Sequence, residues 1–67
     1  MTVKDMIPEY KHGLDQLRQR RQELLAERRT ESSFERRHCL TVRVYQLNQL
    51  IESTSAALHD MMEYDHG

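Results

Sequence analysis

The chain has 67 residues and a formal net charge of −1, with 10 lysines and arginines against 11 aspartates and glutamates, and 37% of its residues are hydrophobic. A domain this small buries only about 60% of the surface its unfolded chain exposes, so a disulfide, a metal or self-association is expected to supplement the core. The single cysteine, Cys39, excludes an internal disulfide and favours a reducing, cytoplasmic setting, while the start MTVKDMIPEY has no apolar run to serve as a signal peptide or membrane span.

Two glycines, one proline and no tryptophan, together with abundant Leu, Arg, Gln and Glu, make the composition helix-rich. Only TVRVYQL (41–47) alternates like a strand, and it lies inside a longer helical pattern. In the first half, spacing of three and four runs through Val3, Ile7, Tyr10, Leu14, Leu17, Arg21, Leu24 and Arg28. Ile7 precedes Pro8 and is biased away from the α region. Helix 1 is therefore expected to begin between Asp5 and Pro8, with Asp5 as its cap, and to run over about 5–29.

The turn is expected at about 30–32, inside ERRTESSFERR. Ser32 and Glu35 there have capping-box spacing, the serine oxygen accepting from the Glu35 amide while the carboxylate returns to the Ser32 amide. Helix 2 then runs over about 33–63, with a seam of Arg37, Leu40, Val44, Leu47, Ile51, Thr54, Leu58 and Met61. Two helices joined by a short loop lie antiparallel. Facing residues then have a constant index sum. Val3 with Met61, Ile7 with Leu58, Leu14 with Ile51, Leu17 with Leu47 and Leu24 with Leu40 add to 64 or 65, centred on Ser32. The expected architecture is all-α: one domain over 1–67, an antiparallel coiled-coil-like hairpin that dimerises into a four-helix bundle.

All eight arginines fall between Arg18 and Arg43, and the four glutamates there leave that stretch at +4, whereas residues 44–67 carry −4. The hairpin thus has a basic loop end and an acidic end holding both termini. The antiparallel register sets Glu27 against Arg36 or Arg37 and Arg29 against Glu35, as reciprocal ion pairs across the hairpin, with Arg20–Glu23 and Arg28–Glu31 along helix 1. Arg28 and Arg37 share one seam layer, so their heads must reach water or meet an anion. Arg28, Arg29, Arg36, Arg37 and Arg43 are the candidate partner-binding residues, because guanidinium suits planar recognition of carboxylate or phosphate.

A second apolar row flanks the helix 2 seam at heptad spacing, and with its counterpart in helix 1 it forms a patch of Met6, Gly13, Leu50, Ala57 and Tyr64. A two-helix hairpin cannot bury it. Self-association is its expected use, with Gly13 admitting a close helix.

No glycine-rich phosphate loop, CxxC pair or HxxxH spacing is present. His59, Glu63 and His66 share a face, but at a helix C-terminus where their acidic neighbours oppose the dipole, so no metal is expected. His38 beside Cys39 does not make an activated thiol, because adjacent helical residues point apart. No cofactor and no enzymatic activity are expected. The reading is a small non-catalytic protein-interaction module: an adaptor, regulator or inhibitor with a protein partner and a homo-oligomeric state, of a size common among phage and mobile-element proteins. The alternatives are a nucleic-acid-binding hairpin, disfavoured by net acidity, and a structural coiled-coil subunit of a larger assembly.

Overall fold

The computed structural model describes residues 2–66, and among them the chain forms two helices, α1 (Val3–Thr30) and α2 (Phe34–His66), packed against each other as a hairpin. Helix α1 starts earlier than the Asp5–Pro8 expectation, because Thr2 supplies the cap. Its hydroxyl accepts from the Asp5 amide at 3.3 Å and the Asp5 carboxylate accepts from the Thr2 amide at 3.2 Å, so Asp5 is the third residue of a capping box instead of the cap itself. Pro8 is carried inside the helix. It deprives the Lys4 carbonyl of its α-helical donor, and Lys4 is exposed, where water can replace that donor.

The turn also differs from expectation by one residue. Glu31 leaves the helix in an extended conformation (φ −80°, ψ 123°), with Arg28 and Arg29 in the last helical turn, where positive charge suits the dipole. The Glu31 carboxylate then accepts from the Ser33 amide at 3.0 Å, and the Ser33 hydroxyl accepts from the Arg36 amide at 3.5 Å. Ser33, not Ser32, therefore caps α2, and a carboxylate from before the cap takes the place expected of Glu35. Both serines are competent. The extended Glu31 decides between them by placing its side chain over the Ser33 amide.

Among the described residues four are buried: Leu14, Leu24, Ile51 and Leu58. Leu14, Ile51 and Leu58 form one cluster, with Ile7, Tyr10 and Leu17 packed against it, so residues expected to face each other along the seam do share a core. Leu24, at 2% exposure, is the most enclosed of the four. The core is thin for the surface around it. The particle measures 50 × 15 × 15 Å with a radius of gyration of 15.4 Å, against about 11 Å for a compact chain of this length. Its accessible surface is 5471 Å², against roughly 4,500 Å² for a compact monomer of this mass.

The expected ion pairs across the hairpin do not form. Among the described residues the ion pairs are Arg20–Glu23 at 3.2 Å and, when the histidine is protonated, His59–Glu63 at 3.0 Å, both within a helix. Two seam arginines cross to α2 by another route. Arg21 Nη1 donates to Asn48 Oδ1 at 2.9 Å and Arg28 Nε donates to Thr41 Oγ1 at 2.8 Å. Each pair of residue numbers adds to 69, above the 64 or 65 of the seam. Side chains on a helix lean toward its N-terminus, and in an antiparallel pair those leanings converge, so long side chains meet partners offset by about one turn.

Candidate interaction surfaces

The seam row of α1 is apolar as far as Leu14 and then turns to Arg21 and Arg28, which cannot be buried without partners. They turn sideways onto the flanking row of α2, polar at the matching seven-residue spacing: Thr41, Asn48, Ser55. Thr41 has a double role, since its hydroxyl accepts from Arg28 and donates to the Arg37 carbonyl at 2.9 Å. Arg28 is thereby held across the helix pair by one nitrogen, and its terminal nitrogens have no hydrogen-bond or ion-pair partner among the described residues.

Around this anchor lies an open cleft of about 290 Å³ lined by Arg28, Phe34, Arg37, His38 and Thr41. Two guanidiniums, an imidazole and a phenyl ring converge there with no carboxylate among the lining residues. Phe34 is 77% exposed. It is the first residue of α2, so the cap at Ser33 fixes where its ring emerges.

The five candidate arginines do not form one cluster. Arg28 and Arg37 share the cleft just described; Arg36 and Arg43 line a different one with Glu27, Glu31, Glu35 and Cys39; Arg29 lies against Gln22, Leu25 and Ala26. The division follows from the heptad, which sends Arg36 and Arg43 to one flank of the seam while Phe34 and Thr41 lie on the other. The Arg36–Arg43 cleft has mixed charge, and the Arg28–Arg37 cleft is purely cationic. His38 and Cys39 likewise line different clefts.

On the Arg36–Arg43 flank three shallow clefts follow one another along the hairpin. After the loop-end cleft comes one lined by Arg20, Leu24, Arg43, Leu47 and Leu50, and then one lined by Glu9, Tyr10, Gly13, Leu17 and Thr54. The candidate self-association residues lie on this side. Leu50 is 53% and Tyr64 74% exposed, with Met6, Gly13 and Ala57 half-buried. A Cβ added to Gly13 would meet nothing within 4 Å. Nothing inside the hairpin therefore explains a glycine in the middle of a 28-residue helix.

Among the described residues no group of three or more His, Cys, Asp or Glu could hold a metal ion, and no helix is long and apolar enough to cross a membrane. The His66 side chain, part of the His59–Glu63–His66 face, lies outside the described residues. No protein-family model matches the chain, and neither a curated protein nor a solved structure matches it.

Sequence reasoning missed Phe34, His38, Thr41 and Asn48 as members of the surfaces. A signal existed in the row Phe34, Thr41, Asn48, Ser55, Met62, whose polar centre stands beside Arg21 and Arg28 at the same repeat.

Proposed function

We propose that the hairpin is a small non-catalytic protein-interaction module, an adaptor, regulator or inhibitor, that docks an acidic segment of a protein partner on the Arg28–Arg37 cleft and self-associates through its opposite side into a four-helix bundle. The convergence of two guanidiniums beside an exposed phenyl ring, with no carboxylate lining the cleft, carries this reading. Arginine offers a carboxylate two parallel donors, and arginines and aromatic rings supply much of the energy in protein interfaces. The cleft volume of about 290 Å³ suits one or two side chains or a chain terminus. Cys39 is exposed and unpaired, which fits a reducing, cytoplasmic setting.

Phe34 also favours a second reading, in which a base stacks on its ring while a phosphate lies on Arg28 and Arg37. Glu27, Glu31 and Glu35 line the other loop-end cleft and would repel the rest of a phosphate backbone, so the protein partner is preferred. Titration of a labelled single-stranded oligonucleotide across a salt series tests the choice. The protein reading predicts no submicromolar binding near physiological salt. Submicromolar binding that weakens steeply with salt, and is lost when Arg28 and Arg37 are both changed to Ala, would overturn it.

A further inference from the structure

The loop end carries more positive charge than its own carboxylates balance, and the excess is not evenly spread. Residues 27–43 hold five arginines and three glutamates, which leaves two positive charges over. All three glutamates, Glu27, Glu31 and Glu35, line the cleft that holds Arg36 and Arg43, and none lines the one that holds Arg28 and Arg37. Arg29 lies apart from both. Thr41 Oγ1 accepts from Arg28 Nε at 2.8 Å, which holds that guanidinium in place and leaves its two terminal nitrogens as donors. The Arg37 guanidinium has no hydrogen-bond or ion-pair partner among the described residues; only its backbone is engaged, the carbonyl accepting from Thr41.

We propose that the anionic group taken by this cleft is a phosphate monoester on a side chain of the partner segment, with an apolar neighbour of that side chain on the Phe34 ring. The assignment rests on the docking of an acidic segment proposed above and names its chemistry. Two fixed positive charges in a cleft of about 290 Å³ are matched by one group that carries both negative charges. A phosphate monoester bears about −1.5 to −2 at pH 7 and three acceptor oxygens. A single carboxylate matches one guanidinium. Carboxylates on adjacent residues supply the second charge, but adjacent side chains diverge from the backbone and do not converge on one point. A phosphate within a nucleic-acid strand carries one charge and leaves a guanidinium unmatched.

The donors come from both helices. Arg28 belongs to α1, and Arg37 and His38 to α2. One ring nitrogen of His38 carries a proton in either tautomer, so three side chains can each donate to a phosphate oxygen. Phe34, at 77% exposure, supplies the apolar wall beside them. Clustered arginines are a general means of reading phosphorylated segments. The unmodified hydroxyl of the same segment would bring no charge to the cleft, so phosphorylation of the partner would switch docking on.

Nuclear magnetic resonance titration of the isotope-labelled full chain reads the cleft directly, through the Arg28 and Arg37 Nε–H signals and the Phe34 ring. The probes are the capped peptide Gly–phosphoserine–Leu–Gly, its unphosphorylated form, the capped peptide Gly–Asp–Asp–Leu–Gly, and inorganic phosphate. The phosphopeptide is expected to bind at least about 10-fold more tightly than each of the others, the equivalent of one charge-assisted hydrogen bond. Arg37→Ala should remove that preference, and Arg36→Ala, in the neighbouring cleft, should keep it. Equal binding of the aspartate peptide overturns the phosphate and leaves acidic-segment docking standing. Equal binding of inorganic phosphate overturns a peptide as the source of the group. Equal binding of the unphosphorylated peptide, or cleft signals that no probe shifts at millimolar concentration, overturns both the phosphate and the acidic-segment reading.

Discussion

Replacing Gly13 by alanine has opposite expected effects in the free hairpin and in the dimer. Within one chain the added methyl group meets no atom within 4 Å, so only the backbone responds. A glycine in a helix interior costs about 0.5–1 kcal/mol relative to alanine, and for a domain of this size each kcal/mol moves the melting temperature by about 4–8 °C. Gly13→Ala should therefore raise the thermal midpoint of the monomer. In the proposed dimer, where a helix of a second copy packs closely on Gly13, the added methyl is forced into the interface, and overpacking costs about 1–3 kcal/mol. That weakens association by roughly 5-fold to 150-fold. Circular-dichroism melts over a concentration series from submicromolar to about 100 μM, paired with sedimentation, separate the two effects. The variant should be the more stable protein when dilute and the weaker dimer when concentrated. A midpoint raised equally at every concentration, with unchanged association, would refute the assignment of Gly13 to an interface.

Leu24→Ala empties the most enclosed site in the core, at 2% exposure, and should cost about 2–5 kcal/mol in urea denaturation. That is a large share of the 3–10 kcal/mol or so expected for 67 residues, and a loss below about 1 kcal/mol would contradict the packing described. Ser33→Ala should lower stability by about 0.5–1 kcal/mol, at the modest end because the capping contact is long at 3.5 Å. Ser32→Ala should be close to neutral in the same melts. The reverse ranking would return the cap to Ser32.

The hairpin was legible because its signals are local and periodic. Apolar spacing of three and four, a break near the serines and a constant index sum need no knowledge of side-chain direction. The cap was misplaced by one residue because Ser32 and Ser33 are equally suited and the choice rests on the backbone of Glu31. The ion pairs failed for a different reason. The index sum describes backbones, whereas Arg21 and Arg28 lean along the helix and meet Asn48 and Thr41 one turn away. The arginines read as one basic end because they are close in sequence, although the heptad sends Arg28 and Arg37 to one flank and Arg36 and Arg43 to the other. Phe34 escaped notice as part of the basic end, since its exposure follows from the cap at Ser33 and not from composition.

The most direct measurement of the proposed role is affinity capture of the tagged protein from its native cells, comparing wild type with the Arg28→Ala, Arg37→Ala double variant, each with and without nuclease. A protein partner that survives nuclease and is lost with the double variant is the expected result. Recovery of nucleic acid instead, with every bound protein released by nuclease, would contradict the account.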